Sequence, residues 1–122
     1  MKPADKALLA CKEYDRLMTA IRANTKDIGD GAECCSRWVS DGTGGHWIPG
    51  GGMTHLTEAF EPYESDGEHF PTKEWNDEHG ALEIIGDCAG CLKAYKAVQE
   101  RKANRKKLGA VKRSIRAIGR AA

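Results

Sequence analysis

Apolar residues near the N-terminus recur at helical spacing. Leu8, Cys11, Met18, Ile21 and Ile28 share a face with Tyr14 and Leu17 beside them, and neither glycine nor proline interrupts Ala4 to Ile28. That period predicts an amphipathic helix over residues 1–28, with Pro3 in its first turn and Gly29 at its stop. A second long pattern begins at Cys88. Leu92, Tyr95 and Val98, then Leu108, Val111, Ile115 and Ile118 at 3-4-3 spacing, predict a helix from Cys88 to about Ile118 within a segment 87–120, capped by Asp87. Gly109 weakens it by about 1 kcal/mol relative to alanine and marks a candidate bend.

Between these patterns the chain loses its period. Eight of the 14 glycines fall between Gly29 and Gly52, and Gly42-Thr43-Gly44-Gly45 and Pro49-Gly50-Gly51-Gly52 are turn chemistry. One short hairpin, around Arg37 to Ser40 and His46 to Ile48, is the regular structure this region can hold. Glu58 to Glu68 carries five acids and no base, which reads as a solvated acidic surface. Thr72 to Ile85 predicts a short helix, with Thr72 as cap, Trp75, Leu82 and Ile85 as contacts and Gly86 as its end. The expected fold is mostly α: an antiparallel hairpin of two long helices carrying an irregular, Gly-rich, zinc-clipped insert at 29–86. A loop this long needs an external reason to be ordered.

The length of 122 residues fits one domain spanning 1–122 with one modest core. No apolar run approaches the roughly 20 residues of a spanning helix, and Met1-Lys2-Pro3-Ala4-Asp5 opens no secretory h-region, so the expectation is a reducing cytoplasm without membrane contact. Five cysteines then read as metal ligands ahead of a disulfide framework.

Cys88-Ala89-Gly90-Cys91 is half of a zinc knuckle, placed where a helix N-terminus favours thiolates. Cys34 and Cys35 are the candidates for the other half, because an antiparallel hairpin brings both pairs to the same end. Zinc takes four tetrahedral ligands, and adjacent cysteines rarely both ligate one ion. The reading therefore stays open between Cys34, Cys35, Cys88 and Cys91, and three of these with His46, His55, His69 or His79. Cys11, on the apolar face of the first helix, is expected to be a core thiol. Two alternatives remain, a thioredoxin-like redox pair at Cys88 and Cys91, which lacks a surrounding βαβ pattern, and unliganded thiols.

Catalytic patterns fail on spacing. His55-Leu-Thr-Glu58 with the later C-x-x-C departs from the zinc deaminase signature at both halves. Trp75-Asn76-Asp77-Glu78-His79 holds the residue types of a His/Asn nuclease site, which needs a preceding catalytic histidine on a hairpin, a place His46 or His55 would have to fill in this minor alternative, and no phosphate-binding glycine loop is present. The reading is non-enzymatic.

Charge is unevenly distributed. Net charge is +1, yet residues 93–122 hold 11 bases and one acid, leaving 8 bases and 17 acids in residues 1–92. Arg101, Lys102, Arg105, Lys106, Lys107, Lys112, Arg113 and Arg116 suit phosphate contact by counterion release, so a DNA- or RNA-binding regulator is one reading. In the other, these bases are a solvated face or lie on the protein's own acidic body, and the acidic region docks on a partner protein through Trp38, Trp47 and Trp75. Alternatively these tryptophans form a small core over the zinc site. A homodimer through the long helices is left open.

The run Cys88-Ala-Gly-Cys91-Leu-Lys-Ala94, with Arg101-Lys102, Leu108-Gly109, Lys112-Arg113 and Ile118-Gly119-Arg120, resembles small proteins encoded by bacteriophages and prophages, in which C-x-x-C-L-x-A opens a basic helix ending in I-G-R. The resemblance covers roughly 35 residues. It implies a phage accessory product in the host bacterial cytoplasm, acting stoichiometrically as an inhibitor or modulator of a host or anti-phage defence complex. It carries no catalytic residues.

Overall fold

The computed structural model describes residues 2–65 and 72–121. Among them run eight elements: α1 (Pro3–Glu33), β1 (Ser36–Val39), β2 (His46–Pro49), α2 (His55–Phe60), β3 (Tyr63–Ser65), β4 (Thr72–Glu74), α3 (Glu78–Ile85) and α4 (Ala89–Ala121). The chain is mostly helical, with two antiparallel two-stranded sheets, β1 with β2 and β3 with β4. No helix among the described residues is long and apolar enough to cross a membrane.

The chain packs as two compact units, one of residues 1–27 and 97–122, the other of residues 28–96. Both long helices contribute to both. In the first unit, Leu17 on α1 and Leu108 on α4 are buried. Buried Asn104 donates from Nδ2 to Asn24 Oδ1 at 3.0 Å, and Arg101 reaches Thr25 Oγ1 at 3.3 Å. Among the partly buried and buried positions of α4 here, Ala97, Arg101, Asn104, Leu108, Val111, Ile115 and Ile118 follow a 3-4 alternation that forms one seam, with Val98 and Gly109 partly buried beside it.

The second unit is built around a small core of Cys35, Leu56, Ala59, Ala81, Ile85, Cys91, Ala94 and Tyr95. Its elements are short because turn residues interrupt them. The β1–β2 hairpin pairs Ser36 with Pro49, Arg37 with Ile48, Trp38 with Trp47 and Val39 with His46, within a residue of the expected strands. Thr54 caps α2 by accepting from Thr57 N–H, and Asp77 caps α3 by accepting from Gly80 N–H. Phe60 and Tyr95 stack at 5.9 Å.

Several expectations are corrected. α1 does not stop at Gly29 but continues to Glu33, and the reason lies two residues on. A Cβ on Gly31 would stand 2.5 Å from the Gly90 carbonyl oxygen, and one on Gly90 would stand 2.4 Å from that of Gly31. These glycines serve a close crossing of α1 and α4 instead of a chain reversal. The helix expected over Thr72–Ile85 divides. Thr72 lies in β4, where its hydroxyl meets that of Ser65 at 2.7 Å, and the helix begins only after the stronger cap, Asp77. Gly86 ends it as expected. The acidic stretch starting at Glu58 includes the end of α2 and all of β3.

The last helix is capped by Cys88, whose carbonyl accepts from Leu92 N–H at 2.9 Å, and not by Asp87. Cys11 is exposed, not a core thiol. The three tryptophans form no core over the cysteines: Trp38, Trp47 and Trp75 are 53%, 65% and 64% exposed.

Candidate metal centre

Four side chains converge in the second unit. Cys35 follows the end of α1 and leads into β1, His55 opens α2, Cys88 caps α4 and Cys91 lies in its first turn. One ligand atom from each lies within 4.8 Å of all the others. Cys35 Sγ is 3.2 Å and Cys91 Sγ 3.9 Å from His55 Nδ1. Zinc with S at about 2.3 Å and N at about 2.0 Å separates its ligands by about 3.5–3.8 Å in a tetrahedron. The two separations to Nδ1 lie on either side of that range, and the four residues are close enough together to hold a metal ion. Cys35 and Cys91 are buried, while His55 and Cys88 are partly exposed.

Local structure explains the convergence. The C-x-x-C pair presents two sulfurs from the opening turn of a helix. The Gly31–Gly90 crossing draws the end of α1 against that turn, and Gly50 lets the chain pass Cys35, since a Cβ there would stand 2.7 Å from Cys35 Sγ. Gly50 N–H also donates to the Cys35 carbonyl at 2.8 Å. Arg37 joins β1 to α2 by donating to Glu58 Oε2 at 2.7 Å and to the Met53 carbonyl at 3.1 Å. Thr54 fixes the first turn of α2 and with it His55.

Backbone amides point at the sulfurs. Burial opposes ionisation of Cys88, but hydrogen bonds from Cys91 N–H, the Cys91 and Cys35 thiols and Ser36 N–H outweigh it and hold Cys88 below the usual thiol range. Burial, reinforced by the Cys35 side chain, pushes Cys91 up to about 12, against a hydrogen bond from Leu56 N–H. A dication removes the conflict, since it replaces thiol protons with its own charge.

The chain matches no known family model, no curated protein and no solved structure. The reading of the site therefore rests on these four residues.

Of the sequence candidates, Cys35, Cys88 and Cys91 are brought together and Cys34 is not. Cys34 is exposed and lines an open cleft of about 680 Å³ with Trp47, Ile84 and two of the candidate ligands, His55 and Cys88. Cys34 lies in the closing turn of α1, where its N–H donates to the Gly31 carbonyl at 3.2 Å, and the chain leaves that turn with Cys35 buried and Cys34 exposed. His55 is the histidine of the four that joins. His46 lies 3.2 Å from Asp41, whose carboxyl is held below the ordinary carboxylate range by the Thr43 hydroxyl and N–H and by His46. His79 pairs with Glu83 at 3.0 Å on α3, and His69 lies outside the described residues. The signal for His55 was present: Thr54 is a good N-cap and Leu56, Ala59 and Phe60 follow at helical spacing, which makes a short helix that carries His55 at its first position.

Proposed function

We propose that the protein is a non-enzymatic binding module whose acidic unit is closed by one zinc ion on Cys35, His55, Cys88 and Cys91. The observation that carries this reading is the mutual approach of four ligand atoms within 4.8 Å. Three soft sulfurs and one imidazole suit zinc better than the hard cations. Four protein ligands complete its coordination and leave no open position for a substrate, which is the pattern of a structural ion. Folding of a loop-rich unit on a small core then gains on the order of 10 kcal/mol from the metal. The contacts of α1 with α4 belong, in this reading, to an antiparallel hairpin.

The acidic unit is the docking surface. Residues 28–96 hold 13 acids and four bases, and Trp38 and Trp47 pack edge to face at 5.5 Å while both stay exposed. A cross-strand tryptophan pair on an acidic background supplies the rigid aromatic anchors and the field that favour association with a basic protein surface. The resemblance to phage accessory proteins adds the setting, stoichiometric modulation of a host or defence complex. Treatment with a strong zinc chelator, followed by circular dichroism, tests the staple. The expected result is loss of the acidic unit's structure and recovery on adding zinc. A signal unchanged by chelation would overturn the reading.

A further inference from the structure

The charge asymmetry of the sequence coincides with the division of the fold. The unit of residues 1–27 and 97–122 holds 15 bases and five acids, a net +10. Little in that unit offsets the charge of α4: Glu100 lies on it and Glu13 feels the Lys107 charge. Glu13 pairs with Arg16 on its own helix, and among the described residues no ion pair involves a base of residues 97–121.

Their placement along α4 is ordered. At about 100° per residue, Lys102, Arg105, Lys106, Lys112, Arg113, Arg116 and Arg120 fall within a sector of about 120°. All seven are exposed. The buried seam through Asn104, Leu108, Val111, Ile115 and Ile118 lies on the opposite side. The stripe runs for about 27 Å at 1.5 Å per residue, and Gly109 occupies its middle. A Cβ there would meet only Arg113 Nη1, at 3.6 Å, so no internal packing requires the glycine although it is a poor helix former. Its effect is a bare patch of backbone flanked by cations.

We propose that this stripe binds the phosphate backbone of duplex DNA independently of sequence, with Gly109 the point of closest approach. A straight row of cations about 27 Å long matches about eight base-pair steps of 3.4 Å. No aromatic residue follows Tyr95 in α4, which removes the stacking platforms of single-strand binders. Phosphate contacts position without reading bases, and the stripe offers no glutamine or asparagine to read them. The inference goes beyond the docking role of the acidic unit, and each can fail without the other.

The test uses the full chain with a fluorescent random-sequence duplex of about 20 base pairs, titrated at several salt concentrations by anisotropy. Lys106→Glu/Arg113→Glu is compared with Lys12→Glu/Arg22→Glu, which makes the same charge change at exposed α1 positions of the same unit. The expected result is micromolar binding at low salt that weakens linearly in log[salt]. The stripe variant should bind at least about tenfold more weakly, with a salt slope shallower by about two, while the α1 variant changes by less than about threefold. Gly109→Leu, which improves helix propensity, should melt higher yet bind less tightly. Equal losses in the two charge variants would overturn the proposal by reducing it to net charge. No binding at low salt, or self-association in place of DNA binding, would assign the stripe to a protein surface and overturn it. Unchanged binding by Gly109→Leu would remove the close approach.

Discussion

Gly31 and Gly90 meet backbone to backbone, each with the other's carbonyl oxygen too close to where its own Cβ would stand for a side chain to fit without a shift. This contact places the end of α1 beside the turn that holds Cys88 and Cys91, and so governs whether Cys35 can join them. Gly31→Ala or Gly90→Ala forces helix separation and is expected to cost about 1–3 kcal/mol, the range for overpacking. Gly29→Ala is the control: nothing lies within 4 Å of its Cβ position, so it should stabilise the helix by about 0.5–1 kcal/mol. Thermal denaturation of the zinc-loaded protein reads both. Equal responses at the three positions would contradict the crossing.

Arg37 braces the segment that presents His55. Its ion pair with Glu58 and its bond to the Met53 carbonyl tie β1 to the segment that presents His55. Arg37→Ala should lower zinc affinity about tenfold, as loss of a supporting contact does at other metal sites, with zinc stoichiometry unchanged. Competition against a chromophoric chelator measures it. Arg37→Lys keeps the charge but not the two-pronged geometry, and should recover only part of the loss.

The buried Asn24–Asn104 bond lies in an otherwise mostly apolar seam. Asn104→Ala leaves the Asn24 amide unpartnered and should cost about 1–3 kcal/mol. Replacing both by leucine removes the unsatisfied group and should restore most of that. A urea-denaturation double-mutant cycle separates the two. If the pair sets helix register, the double variant will also self-associate in sedimentation.

Much of this architecture was legible because its signals are local. The long helices followed from uninterrupted 3.6-residue periods, and the β1–β2 hairpin from glycine-rich turns flanking Arg37–Ser40 and His46–Ile48. Cys88 and Cys91 announced themselves by spacing. What escaped depended on contacts distant in sequence. Gly29 reads as a stop unless Gly31 is known to meet Gly90, 59 positions away. Cys34 and Cys35 are chemically equivalent in sequence, and only the way the chain leaves the last turn of α1, with Cys35 buried and Cys34 exposed, selects Cys35. His55 was one histidine among four because the six-residue helix that aims it lies in a stretch read as irregular. The tryptophans stayed open between an exposed surface and a small core because the sequence does not show how little a hairpin of two four-residue strands can cover, and Trp38 and Trp47 are exposed on it.

Charge reversal on α4 should leave metal binding intact, because the stripe and the metal ligands belong to different compact units. Lys106→Glu/Arg113→Glu is expected to retain full zinc content. Trp38→Glu/Trp47→Glu should likewise retain zinc, since both side chains are exposed. Elemental analysis of each purified variant checks this, and loss of metal in either would mean that the surfaces and the staple are not independent.

The most direct measurement is zinc content per chain, by elemental mass spectrometry, for the wild type and for Cys34→Ser, Cys35→Ser and His55→Ala purified without chelator. The account predicts about one zinc in the wild type and in Cys34→Ser, and its loss or marked weakening in Cys35→Ser and His55→Ala. Zinc retained by Cys35→Ser and lost from Cys34→Ser, or no zinc in the wild type, would contradict it.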